Sequence, residues 1–225
     1  MAAGNPTLVL THPRLDSLPA GTVLWHIHPE AFASTAFNPK SENRFAAGSA
    51  SPPRAMYYAG ASPEVAIWET LLRDVVADED GCVVLFKDRI DGKRLARVRT
   101  TRAIAIVDLR MPGLRRHTAN AAELSEWQGL QTVFPYASTQ AAARALLAVQ
   151  PTLGGLQWTS KQAGNGAAFV FYDPPASDLF KPLSDRSLSG KTGWRPIDRA
   201  LNKPVSGAFQ PIRRRCADCV ELARD

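Results

Sequence analysis

The chain lacks nearly every feature that would classify it at a glance. Its 225 residues include only three cysteines, Cys82, Cys216 and Cys219, an odd count that offers no framework of extracellular disulfides. No apolar run approaches the roughly 18 residues needed to span a bilayer. The opening segment, "MAAGNPTLVLTHPRL", has neither the basic start nor the apolar length of a secretory signal. Repeats and low-complexity tracts are missing. So are the P-loop, the glycine fingerprint of dinucleotide-binding folds, the G-x-S-x-G elbow and the H-E-x-x-H zinc helix. Cys216 and Cys219 form one C-x-x-C, half of a tetrahedral zinc site, while His12, His26, His28 and His117 lie far off in sequence. An exposed thiol pair is the expectation there, no metal is expected, and Cys82 in "GCVVLF" reads as a buried strand thiol. A disulfide scaffold is excluded, no membrane partner is expected, and the expected compartment is the cytoplasm.

What is present is ordinary for a folded chain. Hydrophobic residues make up 45% and charged residues 21%, and a chain of this length buries roughly 70% of its unfolded surface without staples. The formal net charge is +6, unevenly spread: Arg186 to Asp225 holds nine basic and four acidic residues, leaving +1 for the first 185. An anionic partner is implied, and the basic tail makes nucleic acid one candidate.

The pattern predicts strands at 22–28 ("TVLWHIH") and 55–59 ("AMYYA"). Three more fall within 82–109, with Asp91-Gly92 as a hairpin-type turn, and two late ones are "GGLQWTS" and "AAFVFYD". Helices are expected at "ASPEVAIWETLLRD", with Ser62 as cap and Pro63 in the first turn, and at 138–150. Few helices and no regular βαβ alternation argue α+β. The first strand at 22 and the prolines from Pro174 on divide the chain into an expected N-terminal extension (1–21), a folded unit (22–175) and a basic, proline-rich extension (176–225).

Four polar residues fall where burial is expected. Glu69 lies mid-helix among Val65, Ile67, Trp68, Leu71 and Leu72, so its carboxylate must pair with Arg73 four residues on or face a polar cleft. Arg44 stands in "SENRFAAG", either an ordinary surface arginine or a site cation. Tyr58 ends a strand just before the Ser62 cap, as a core tyrosine or one aimed into a cleft. Ser160 closes "GGLQWTS" before a glycine-containing loop, as a turn former or a site hydroxyl.

Taken together, "RFAAGSASPPRAMYYAGASPEVAIWE" and the later "GGLQWTS" resemble the RES domain family over residues 22–173. The matching residues are Arg44 with Phe45, Tyr58, the helix start Ser62–Ala66, Glu69 eleven positions after Tyr58, and Ser160. "SASPPRA" looks like an insertion. The family commonly carries an arginine in its first strand where "LWHIH" has His26, and a neutral imidazole cannot act as a guanidinium fork on phosphate. Arg54 or another basic side chain would then supply that clamp, with His26 beside it in the substrate site.

The resemblance implies a compact fold similar to ADP-ribosyltransferase toxins. It also implies cleavage of the nicotinamide–ribose bond of NAD by water or phosphate, and membership of a toxin–antitoxin pair with an antitoxin of the Xre type. NAD would be substrate, inorganic phosphate a possible co-substrate, and no cofactor is implied. Such chemistry needs an anion for the oxocarbenium-like ribose (Glu69) and a cation for the pyrophosphate (Arg44). It also needs an aromatic platform (Tyr58) and a hydrogen-bonding hydroxyl (Ser160). The rival readings are an ADP-ribosyltransferase acting on a macromolecule, a nucleic-acid-binding protein using "PIRRRCADC", and an inactive RES domain kept for interaction.

Overall fold

A computed structural model describes residues 9–48, 54–75, 82–131, 135–164, 166–173, 178–202 and 213–215. The strands are β1 (Asp16–Leu18), β2 (Val23–Pro29), β3 (Ala55–Gly60), β4 (Cys82–Val84), β5 (Lys93–Thr100), β6 (Ile104–Asp108), β7 (Gly155–Ser160), β8 (Gly166–Asp173), β9 (Phe180–Ser187) and β10 (Arg213–Arg215). The α-helices are α1 (Pro63–Thr70), α2 (Ala121–Leu130), α3 (Ala137–Val149) and α4 (Gly190–Asn202). Eight strands form one mixed sheet in the order β1-β6-β7-β8-β3-β2-β5-β9, while β10 pairs with β4 apart from it. The architecture is α+β.

The middle of the sheet is barely joined. Strands β3 and β8 are in register along their full length, as are β2 and β5, yet β2 meets β3 only at Trp25 opposite Gly60. From there the halves curl toward each other. Leu24, Ala96, Val98 and Phe180 of one half share a core with Tyr57, Ala59, Phe169 and Phe171 of the other. The opposite face of β7 and β8 is covered by α2 and α3, through Trp127, Leu146 and Leu147 against Leu156, Trp158 and Val170. Helix α1 fills the angle between the halves and is buried almost all round: Val65 joins the α2–α3 core, whereas Ile67 and Trp68 join Ile27, Leu95 and α4. Its start follows local chemistry, with Ser62 Oγ accepting from Val65 N–H at 3.3 Å and Pro63 in the first turn. Close seating requires Gly60, where a Cβ would stand 2.6 Å from the Ala66 nitrogen.

Three sequence expectations change. Asp91-Gly92 is a turn, with Gly92 at φ 66°, but it closes a short 3-10 segment (Lys87–Arg89), and β4 pairs with β10 instead of folding back on β5. Both extension boundaries cut into the packed unit: β1 pairs with β6 and Leu10 is buried, while β9 completes the sheet and α4 packs on α1. Composition concealed β9, which is exposed along Lys181–Arg186 and contains Pro182. The proline is accommodated because β9 is an edge strand, at a register shift opposite Arg97 and Val98. Helix α4 was hidden by Gly193 and Pro196. The pair Cys216 and Cys219 lies outside the described residues, as does most of "PIRRRCADC".

If α4 belongs to the core, Ile197→Ala should destabilise the chain by about 2–4 kcal/mol, since Ile197 is fully buried against α1. Urea unfolding with an unchanged midpoint would show that the helix is a dispensable appendage.

Candidate active site

Where β2 leaves β3, a cavity of about 180 Å³ opens, walled by Ile27, Tyr58 and Ala59 from the strands, Glu69, Thr70 and Arg73 from α1, and Trp158, Ala168 and Phe169 from β7 and β8. Arg44 and Tyr136 close one side and Thr159, Lys161 and Gln162 another. Glu69, Arg44 and Tyr58 therefore converge, although 25 positions of sequence separate the first from the last of them.

Arg44 is held by the backbone around it. Phe45 next to it is fully buried at φ 57°, a left-handed conformation that is unfavourable for a residue with a bulky side chain. Three contacts maintain it: Phe45 N–H donates to Thr139 Oγ1 at 3.3 Å, Tyr172 Oη–H donates to Phe45 O at 2.7 Å, and the ring lies 5.5 Å from that of Trp158. The Arg-aromatic step of the sequence is thus a pinned turn that aims the preceding guanidinium. Arg44 Nη1 donates to Leu130 O at 3.3 Å, and its guanidinium lies 4.9 Å from the Tyr136 ring centroid. Burial pulls its pKa below the ordinary arginine value, with Tyr136 and Glu69 acting in the opposite sense and Arg73 in the same one. It stays charged.

Tyr58 does two jobs. Its hydroxyl donates to Arg44 O at 3.0 Å, tying strand to turn, and burial raises its pKa, so the phenol is neutral at physiological pH. Its carbonyl, which β2 would otherwise satisfy, accepts from His26 Nδ1–H at 2.6 Å. His26 is consequently built into the split between the strands. Its ring lies 4.1 Å from that of Tyr57 and 5.6 Å from that of His28, and it lines an adjoining cavity instead of the first. Burial lowers its pKa from 6.5 to about 4, so it is a neutral element of the fold.

Glu69 faces the cavity without the ion pair that its spacing from Arg73 allowed. Arg73 instead turns back to donate from Nε and Nη2 to the Glu69 carbonyl at 2.9 and 2.6 Å, satisfying an orphan acceptor at the end of α1. Its Nη1 donates to Asn43 Oδ1 at 2.7 Å, and its guanidinium lies 5.8 Å from the Tyr136 centroid. Arg44 and Arg73 therefore approach one aromatic ring. Arg54, named from sequence as a possible clamp, donates to Pro151 O at 3.1 Å and does not line the cavity. Arg73 lines it.

Ser160 is the member the structure does not bring into the lining. It is fully buried at the end of β7, and its Oγ accepts from Ala163 N–H at 3.3 Å. That bond shapes the turn carrying Lys161 and Gln162, both of which do line the cavity. Sequence reasoning missed Arg73, Tyr136 and Lys161 as site residues. Arg73 had a signal, its four-residue step from Glu69, but the step points equally to a surface ion pair. Tyr136 had none. Among the described residues, no three His, Cys, Asp or Glu side chains gather as metal ligands, and no helix is long and apolar enough to cross a membrane.

With this geometry in view, residues 23–190 match the RES domain. No curated protein matches the chain. Its fold is similar to that of a chain in the crystal structure of the M. tuberculosis MbcT–MbcA toxin–antitoxin complex, with a TM-score of 0.53 and 11% identity, covering 76% of this chain and 86% of that one. At that identity the likeness is one of fold.

The depressed pKa of His26 makes a prediction about acid stability. The unfolded state takes up the proton at about 6.5 and the folded state only at about 4, so stability is full above pH 6.5 and falls as pH drops toward 4, by about 3 kcal/mol. His117, also lowered by burial, pulls in the same direction. Urea midpoints at pH 7 and pH 4.5 should differ less in His26→Asn, which can still donate to Tyr58 O, than in the parent. An equal drop in both would assign the acid sensitivity elsewhere.

Proposed function

The chain belongs to the RES domain family, and on that premise we propose that it degrades NAD by breaking the nicotinamide–ribose bond. The observation that carries the reading is the charge pattern of the cavity: among its described lining residues, one carboxylate, Glu69, stands with three cations, Arg44, Arg73 and Lys161. A ligand suited to it carries negative charge on one part and develops positive charge on another. NAD has a pyrophosphate for the arginines, and as nicotinamide leaves, its ribose becomes oxocarbenium-like and is stabilised by a fixed anion.

In this reading Glu69 faces the ribose and holds its hydroxyls. Arg44 and Arg73 bind the pyrophosphate by charge-assisted hydrogen bonds, or position an attacking phosphate. Tyr58 and Tyr136 supply aromatic surface against which the nicotinamide ring is oriented. Ser160 acts through the turn it holds. His26, taken from sequence as a possible substrate contact, acts through Tyr58. The acceptor is water or inorganic phosphate. NAD is consumed as substrate.

The fold shared with the MbcT–MbcA toxin–antitoxin complex supports placing the protein in such a pair, as a growth-arresting toxin of the cytoplasm. An antitoxin of the Xre type would be its partner, in an assembly that covers the cavity. Contact with nucleic acid would then come through that partner or the basic tail.

Product analysis tests the reading. Incubation with NAD should release nicotinamide together with ADP-ribose, or with ADP-ribose phosphate when inorganic phosphate is added. A labelled macromolecule in place of these would identify a transferase. Glu69→Gln should lower kcat/KM by roughly a hundredfold or more, with thermal unfolding unchanged because the side chain is only half-buried. Near-parental turnover by the folded variant would remove Glu69 from the chemistry.

A further inference from the structure

The first cavity, at about 180 Å³, is smaller than the roughly 300–1,000 Å³ that encloses a drug-sized ligand. It takes part of a dinucleotide, and the rest must lie elsewhere. A second cavity of about 500 Å³ adjoins it at the mouth between the curled halves of the sheet, under residues 29–41. The two share Ile27, Asn43, Tyr58, Thr70 and Arg73 as a common wall.

Their chemistry differs in the way the two ends of NAD differ. Among its described lining residues the second cavity has no carboxylate, so it offers nothing to a developing oxocarbenium ion. Its walls are largely apolar, with Phe32, Ala33, Ala36 and Phe37, and Phe32 is 63% exposed at its rim. An aromatic side chain this open beside a concave apolar surface offers a stacking platform. His26 lines the same cavity as a neutral ring whose Nδ1–H is committed to Tyr58 O, which leaves Nε2 as a hydrogen-bond acceptor. Arg73 stands at the junction. Among the described residues three of its five N–H groups are engaged, and two remain for an anion passing between the cavities.

We propose that the second cavity receives the adenine end of NAD, stacked on Phe32, with the pyrophosphate crossing at Arg73 and the nicotinamide riboside in the first cavity. This assignment rests on NAD being the substrate. It makes Phe32, a residue outside the matched motifs, a determinant of specificity.

The test compares NAD with nicotinamide mononucleotide, which lacks the adenylyl half, and titrates AMP calorimetrically into the intact chain. The parent protein should favour NAD by at least roughly tenfold in kcat/KM, and Phe32→Ala should reduce that preference roughly tenfold, the range expected for losing one base–aromatic stack. AMP should bind the parent protein and Glu69→Gln alike, and Phe32→Ala roughly tenfold more weakly. Should neither nucleotide be cleaved while AMP binding still depends on Phe32, the catalytic reading falls and the second cavity stands as an adenine site. Equal use of NAD and nicotinamide mononucleotide, or AMP binding that is absent or indifferent to Phe32, overturns the assignment whatever the NAD turnover.

Discussion

The site depends on a sheet that stops being a sheet. After Trp25 meets Gly60, β2 and β3 separate, and the separation leaves a strand carbonyl, that of Tyr58, without a ladder partner. A buried backbone acceptor left unsatisfied would destabilise the fold by about 1–3 kcal/mol, and the imidazole of His26 removes that penalty at 2.6 Å. Because the same tyrosine donates its hydroxyl to Arg44 O, one residue joins the split strands to the turn that aims a site cation. The angle between the strands is filled by α1, which brings Glu69 and Arg73 to the cavity.

The electrostatics follow from that placement. Arg73 is spent in part on the end of its own helix, so its guanidinium is held in orientation before any ligand arrives. Arg44 is fixed from the other side by Leu130 and Tyr136. Two like charges against one ring are tolerated because Glu69 offsets them and because Arg44 keeps part of its surface in water. Such an arrangement favours an anion, and orientation before binding reduces the entropy lost when it arrives.

Much of this was legible beforehand, for reasons that differ by residue. Glu69 stood out because a carboxylate amid Val65, Trp68 and Leu72 needs a reason to be there. Arg44 and Tyr58 were found through the ordered motif, since neither is unusual alone. Ser160 was found by the same motif but placed one contact too close: its hydroxyl holds the turn, and its neighbours Thr159 and Lys161 reach the cavity. His26 is expected from sequence in the substrate site beside the phosphate clamp, yet it fills a backbone vacancy that no one-dimensional pattern displays. Strand β9 was lost because an exposed edge strand carries no alternation to read, and α4 because Gly193 and Pro196 imitate a loop.

The shortage of distinguishing features with which the sequence begins is therefore informative only in part. By itself the sequence determined the α+β class, the capped helix after Tyr58 and three of the residues that line the cavity, because each rests on spacing or on the cost of burying a polar group. Tertiary structure alone decided that Arg73 faces the site instead of pairing with Glu69, that Tyr136 joins it from far along the chain, and that two cavities share a wall. Those outcomes depend on how far β2 turns from β3, and that angle comes from packing between segments distant in sequence.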